Sequence, residues 1–284
     1  MVEAVDEATT AAGEPLGVGL TAPGASVAVA GVASATASSS AGSSVTISPV
    51  DSSGTRVVSD QAVSDIGSAT VVSEAVGPSE VRQAIVIPNA EAPTSYAFDL
   101  SIPDGLSTRL AADGAVEIFA TAEGADVIAG RVAPPWAKDA NGVDVPTKYS
   151  LDGTTITQNV SHSAGVAYPV TADPRVTYGT SVYLNLYGYE ANAIALVFNA
   201  AALTGVAVGC STPFRDAVKA ALGVGGKVAN AVLGLACTFG GATAVAAIYY
   251  ALTSAPNFDP NTCYQKDLFK STEGFYTVPA SNCA

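Results

Sequence analysis

Apolar and polar residues alternate in short runs through the middle of the chain, and Gly, Pro and Asp punctuate them. From Val45 onward, β-prone pieces (Val45, Ile47 and Val50; Val57–Val58; Val63 and Ile66; Val71–Val72) sit between Ser, Asp and Gly. Clearer strands follow. Val81–Ile87 stops at Pro88, and Tyr96–Ile102 places Tyr96, Phe98, Leu100 and Ile102 on one face before Pro103-Asp104-Gly105. Leu106–Leu110 runs into Asp113-Gly114, a tight hairpin signal, and Val116–Ala120 continues with Val116, Ile118 and Ala120 in phase. Val127–Val132, Lys148–Leu151, Thr154–Val160 and Ala167–Val170 complete the series. Short strands at regular spacing with turn residues between them predict an antiparallel all-β unit. A two-layer sandwich is the architecture that buries such strands.

The two ends of the chain read differently. Residues 1–46 hold no aromatic residue and form an Ala/Gly/Ser tract without a strong period, which predicts a disordered, low-complexity N-terminus. After the β region, Thr180–Tyr187 alternates again, with Val182, Leu184 and Leu186 on its apolar face. Tyr189–Val208 has the length of an apolar helix. Ser211-Thr212-Pro213 then suits the start of a short helix over Phe214–Leu222. Lys227–Leu252 carries one charge, at Lys227, and Thr262–Phe269 with Gly274–Val278 suits a closing hairpin. The expected fold class is therefore α+β: an all-β sandwich-like domain followed by a small disulfide-stapled domain in which a helical hairpin packs on a short antiparallel sheet. The expected boundaries are a β domain at 47–172, a linker at 173–177 around Asp173-Pro174, and an α+β domain at 178–284.

Charge sharpens that division. Residues 1–178 hold 20 acidic and 7 basic side chains, whereas 179–284 hold 5 of each, so the net charge of −13 belongs to the first part. Without clustered Lys and Arg the chain is not expected to bind nucleic acid. All four cysteines, Cys210, Cys237, Cys263 and Cys283, lie in the neutral part. None has C-x-x-C spacing, and the chain's one histidine, His162, is distant in sequence, which disfavours zinc. Two disulfides in an oxidising compartment suit the pattern, with Cys210–Cys237 and Cys263–Cys283 favoured among the three possible connectivities. Met1–Gly13 carries Glu3, Asp6 and Glu7 and no basic residue, so no signal peptide is visible and the chain reads as mature or trimmed at its start.

The length of Val228–Leu252 raises a membrane question. Its Ala, Gly, Thr and Val content drives insertion weakly, and Gly234, Gly240 and Gly241 allow close helix contact. The readings open from sequence are a buried hairpin, a hairpin that enters a bilayer through 228–252, and a fixed anchor.

Candidate chemistry is sparse. His162 lies between Ser161 and Ser163, but no G-x-S-x-G elbow accompanies it, so a solvated loop histidine is expected. Asp104, Asp113, Glu123 and Asp152 flank turn glycines, which accounts for them. Asp139, Asn141 and Asp144 bring oxygen atoms together in a loop that hints at calcium but lacks the EF-hand spacing. Trp136, the one tryptophan, is the possible binding residue, stacking on a sugar, or else plugging the end of the sandwich. No phosphate loop or dinucleotide fingerprint occurs, so no cofactor, no metal and no catalytic residue is expected.

The segments Ala133–Ala140 (APPWAKDA), Val145–Tyr149 (VPTKY), Leu151-Asp152-Gly153 and Tyr168–Pro174 (YPVTADP) together resemble a β-rich module common in exported actinobacterial proteins of unknown function, where a variable C-terminal domain follows. The likeness spans about residues 80–175, and the remainder resembles small exported Cys-bearing domains by layout. The resemblance implies export, with an unknown protein or cell-envelope component as partner, and carries over no catalytic residue. The function expected is a secreted or envelope-associated protein that is not an enzyme. Its β part is expected to act as carrier or docking module and its C-terminal part as effector. The alternative is a membrane-active, bacteriocin-like or toxin-like effector.

Overall fold

The computed structural model describes residues 2–283 except 30, 40, 41, 123, 124, 164, 204–208, 217–225, 256, 269 and 271. The chain is β-rich, with 44% strand against 23% helix. It divides into two units. The first comprises 1–38, 44–118 and 131–178, and the second comprises 39–43, 119–130 and 179–284.

In the first unit, one sheet has the order β1 (Thr21–Ala22), β2 (Ala25–Ala28), β3 (Ser34–Ser38), β4 (Ser44–Pro49), β9 (Ser95–Ser101), β15 (Thr155–Val160), β14 (Thr147–Asp152). The described registers in it are antiparallel, from Thr21↔Ser26 at one end to Asp152↔Thr155 at the other. A second set of strands runs β5 (Ser53–Val58), β6 (Gln61–Ile66), β7 (Ala69–Gly77), β8 (Glu80–Ile87). β8 also pairs with β16 (Val170–Asp173) and with the first residues of β17 (Arg175–Tyr187), while β16 pairs with β13 (Trp136–Lys138).

β7 and β8 are buried on both faces, as are all of β16 and the first four residues of β6, whereas β3, β4 and β9 of the first sheet alternate. One face meets the first sheet: Gln83 Nε2 donates to the Ile47 carbonyl at 3.0 Å, and Ser73 Oγ donates to Gln83 Oε1 at 2.6 Å. The other face is covered by helix α1 (Val2–Ala12), whose Val5 packs on Val63, Val72, Ala84 and Val86.

The described residues among the first 46 are thus folded into α1 and β1–β4, contrary to the disorder expected of them. Their apolar positions are small but in phase. Ala35 and Ala37 are buried on one face of β3, in phase with buried Ala33 just before it, while Ser34, Thr36 and Ser38 lie on the other, the period of two that a strand requires. The expected linker at 173–177 is corrected as well: Asp173 ends β16, and Arg175–Thr177 pair with Glu80–Arg82. The strand expected at Ala167–Val170 begins only at Val170.

Two further strands, β10 (Ser107–Leu110) and β11 (Val116–Ala122), precede β12 (Ala125–Val132); the facing ends of β11 and β12 belong to the second unit. There the later part of β17 pairs with β18 (Cys263–Asp267), from Tyr183↔Asp267 to Tyr187↔Cys263. β18 pairs in turn with β19 (Tyr276–Thr277), and a turn of 3-10 helix follows at Ala280–Cys283. Helix α2 (Gly188–Leu203) leaves β17 directly. Its start is fixed by Glu190, whose Oε2 accepts the Tyr187 N–H at 2.8 Å, and by Gly188, where a Cβ would fall 1.9 Å from the Asp259 carbonyl oxygen. Asn192 clamps the chain beyond, donating to the Phe258 carbonyl at 2.8 Å and accepting its N–H at 3.0 Å.

Of the short helix expected at Phe214–Leu222, a helical turn at 212–216 is present, and 217–222 lie outside the described residues. Helix α3 (Gly226–Thr253) is not the continuous rod that its sequence predicts. Gly241 breaks it with φ 61° and ψ −157°, a conformation open to glycine. Phe198 of α2 stacks on Phe214 with ring centroids 5.9 Å apart and meets Tyr249 of α3 edge-on at 5.7 Å.

Candidate functional site

β7 and β8 place Glu74 and Arg82 directly across from each other, on the face that α1 and the segment after it cover. Both side chains are wholly buried. Arg82 Nε donates to Glu74 Oε1 at 2.6 Å, its Nη2 also pairs with that carboxylate, and its Nη1 donates to the Pro15 carbonyl at 2.9 Å. Gln61 Nε2 donates to the other Glu74 oxygen. The chain closes over this pair at Gly17, where a Cβ would lie 1.8 Å from Glu74 Oε2, so only glycine lets the backbone come so near.

A second carboxyl joins the cluster. Asp173, 1% exposed, lies 3.6 Å from Arg82 Nε, and neither of its oxygens takes a hydrogen bond. Its backbone carbonyl accepts the Tyr149 hydroxyl at 3.3 Å. Arg175, on the far side of Pro174, pairs with Glu14 at 2.8 Å and with Glu80. Burial pushes the Asp173 carboxyl up to about 7, against the pull of Arg82 and Arg175. Burial also raises Glu74, with Arg82 opposing it, and raises the Tyr149 hydroxyl well above its ordinary range. A buried carboxyl without hydrogen bonds keeps its proton because the charged form loses its hydration and gains too little in return.

Among the described residues, Glu74, Arg82 and Asp173 line neither the cleft of about 410 Å³ that reaches Thr171 nor the one of about 350 Å³ beside Asn192. The cluster's chemical capacity is internal: an acid whose burial favours the protonated form, on the residue whose backbone carbonyl already receives a hydroxyl donor. The residues singled out in the sequence lie partly around it. Trp136 sits in β13 directly opposite Asp173 in register, half-buried, with its carbonyl accepting Gln158 Nε2 at 3.1 Å. His162 is buried rather than solvated, since its Nδ1 lies 3.0 Å from the Tyr168 hydroxyl and its Nε2 donates to the Pro93 carbonyl at 2.9 Å. Among the described residues its two ring partners are a hydroxyl and a backbone carbonyl rather than an acid, and the ring ties two loops together.

The loop acids are committed elsewhere. Asp139 Oδ1 accepts the N–H groups of Asn141 and Val143, each at 2.9 Å, and its Oδ2 accepts that of Ala167, which holds the carboxyl below its usual range. Asp144, largely exposed, pairs with Lys138 at 2.6 Å. A cleft of about 410 Å³ beside the loop is lined by Glu7, Asp139, Asn141 and Pro169, and it gathers no acid–base pair.

In the second unit Cys210 bonds Cys237 and Cys263 bonds Cys283, with Cα separations of 5.7 and 5.9 Å. The first bond ties α3 to the chain that follows α2; the second ties the 3-10 turn to β18. Lys266 is buried in β18, and its Nζ donates to the carbonyls of Asp267 and Lys270.

Sequence reading missed Glu74, Arg82 and Tyr149. The one signal available was charge inside apolar strands: Glu74 follows Val71-Val72-Ser73, and Arg82 stands within Val81–Ile87. Comparison with protein-family profiles, with curated proteins and with solved structures found no match to this chain.

Proposed function

We propose that this is an exported protein, not an enzyme, whose sandwich-like first unit serves as a folded carrier and whose second unit is the interacting part, a helical hairpin on a short sheet. The observation that carries the reading is the placement of both disulfides in the second unit, where they fasten the helices and the C-terminal tail. Such bonds persist in oxidising compartments, and they stiffen small apolar units that must survive outside the cell. The acidic surplus of the first part suits a soluble carrier.

The test is to map thiols by mass spectrometry, without reduction, in protein recovered from the culture medium of a host that exports it. Disulfide-linked peptides at 210–237 and 263–283 are expected; four alkylated thiols would defeat the proposal. The membrane-active reading is favoured by Leu196, Tyr189 and Tyr250, which the two helices expose. Against it, no helix among the described residues is long and apolar enough to cross a membrane. Dye release from anionic vesicles by the full chain, above that caused by a folded control protein, would shift the choice toward it.

A further inference from the structure

The chain contains two Asp–Pro bonds, Asp173–Pro174 and Asp259–Pro260, and they lie in opposite surroundings. Asp259 is exposed, and its carboxylate accepts the Asn261 N–H at 3.0 Å. Asp173 is buried, both its carboxyl oxygens lack hydrogen bonds, and its own carbonyl oxygen receives the Tyr149 hydroxyl. An Asp–Pro bond has a chemical weakness of its own. The proline nitrogen belongs to a tertiary amide and departs readily as an amine once it gains a proton, and the Asp carboxyl next to it carries both a nucleophilic oxygen and a proton. In water the carboxyl is ionised at neutral pH and solvated. At Asp173 solvent is excluded, and a donor is already aimed at the oxygen that turns negative when its carbonyl is attacked.

We propose that the folded chain cleaves its own Asp173–Pro174 bond. One oxygen of the protonated Asp173 carboxyl attacks the Asp173 carbonyl carbon and closes a succinic-anhydride ring. The Tyr149 hydroxyl stabilises the oxyanion, the carboxyl proton passes to the Pro174 nitrogen, and the C–N bond breaks with its electron pair on that nitrogen. Pro174 leaves as a new amino terminus. One water then opens the anhydride and restores two carboxyl groups on Asp173, so the net reaction is hydrolysis of one peptide bond.

The charged and titratable groups that face Asp173 are Arg82 from β8, Glu74 from β7, Arg175 from β17, Glu14 from the segment after α1 and Tyr149 from β14. Arg82 and Arg175 favour the ionised carboxyl, burial together with Glu14 and Glu74 favours the protonated one, and the balance lies at about 7. Cleavage therefore slows as pH rises through that range. The cut separates fragment 1–173 from fragment 174–284, which carries all four cysteines. The fragments stay together while folded, because Val170–Ala172 and Arg175–Thr177 both remain paired with β8.

The experiment incubates the purified full chain with protease inhibitors at about pH 6 and about pH 9, on either side of the carboxyl's titration. Samples taken over days are denatured, reduced and weighed by mass spectrometry. The expected products have masses that sum to the chain plus one water, and the new N-terminus reads Pro174-Arg175-Val176. Cleavage at about pH 6 should exceed that at Asp259–Pro260 by about 100-fold, the low end of what a positioned proton donor contributes. It should be first order and independent of protein concentration. Tyr149→Phe should slow it by about tenfold, one hydrogen bond's worth, while Trp136 fluorescence verifies that the variant is folded. Pro174→Ala should slow it further, by giving the leaving nitrogen a less basic secondary amide. A bond that stays intact through the series overturns the proposal. So do equal rates at the two Asp–Pro bonds, a rate that rises with concentration, or indifference to Tyr149→Phe in a folded variant.

Discussion

The two units reach stability by different means. In the first, β7 and β8 are covered on both faces, and polar groups take up part of the buried space: Arg82 and Glu74 on these strands, with Gln61 of β6 and Asp173 of β16, lie where apolar side chains would pack at less cost. No cysteine occurs there. In the second, the helices are almost uncharged, their apolar residues are mostly small, and two disulfides fasten them and the tail. A β unit with long-range registers can hold a buried ion cluster because neighbouring strands fix every partner. Small-residue helices supply little burial per residue and are held by covalent bonds instead. The contrast predicts that the first unit answers to charge and pH and that the second answers to redox.

Arg82→Leu is the hardest blow to the first unit. It leaves Glu74 buried without its partner, so a loss of about 3–5 kcal/mol is expected in urea unfolding followed by Trp136 fluorescence. The paired change Glu74→Leu with Arg82→Leu should recover most of that loss, since a well-packed apolar pair replaces a buried ion pair at little cost. If the single change costs no more than a surface substitution, the cluster is not what organises β7 and β8.

The pH response comes next. The Asp173 carboxyl is raised in the folded chain, so between the unfolded range near 4 and its folded range near 7 the folded state holds a proton that the unfolded state has lost. Stability of the first unit should therefore fall as pH rises through that window, by up to about 1.4 kcal/mol per unit from this group. Above it, no further loss arises from Asp173. Raised Glu74 adds a slope of the same sign, whereas lowered Asp65, Asp113 and Asp139 act oppositely, gaining stability as pH rises from the acid side. Asp173→Asn should flatten the slope in urea titrations across the window, and an unchanged slope would remove Asp173 from this role.

Redox should separate the units most cleanly. Removing Cys210–Cys237, which spans 27 residues, costs about 3.5 kcal/mol on the chain-entropy account. Cys210→Ala with Cys237→Ala should therefore abolish slow amide exchange in Ala229–Leu252, while the unfolding midpoint reported by Trp136 stays in place. A shift of both together would mean that the two regions do not differ as argued.

Strands built on large residues were legible in the sequence. Tyr96, Phe98 and Leu100 alternate with polar neighbours and form β9, and Thr155–Val160 forms β15. The β3 strand has the same period, but its buried positions are all alanine, which contrasts too weakly with serine to stand out. The helix break at Gly241 was hidden among other glycines that keep helical geometry. Asp173-Pro174 read as a linker because proline disfavours helix before it; the same rule pushes that residue into the extended region, where it ends a strand. The ion cluster needed register. Glu74 and Arg82 become partners only when the β7–β8 hairpin is known, and Asp173 enters from a strand far along the chain.

The smallest expected effect concerns α1, and it decides whether the N-terminal residues belong to the first unit's core. Val5 is fully buried against Val63, Val72, Ala84 and Val86, the same face that farther along β7 and β8 carries Glu74 and Arg82. Val5→Ala removes two carbon atoms from that contact, a loss of about 1.5–2 kcal/mol at roughly 0.8 kcal/mol per buried carbon group plus a small cavity. The helix itself is favoured by alanine over valine, which offsets a few tenths of a kcal/mol. The Trp136-reported midpoint should thus fall modestly. Val2→Ala at the half-buried start of the helix should move it much less. Equal effects at the two positions would mean that α1 acts through helix propensity alone, and that β7 and β8 do not depend on it for their cover.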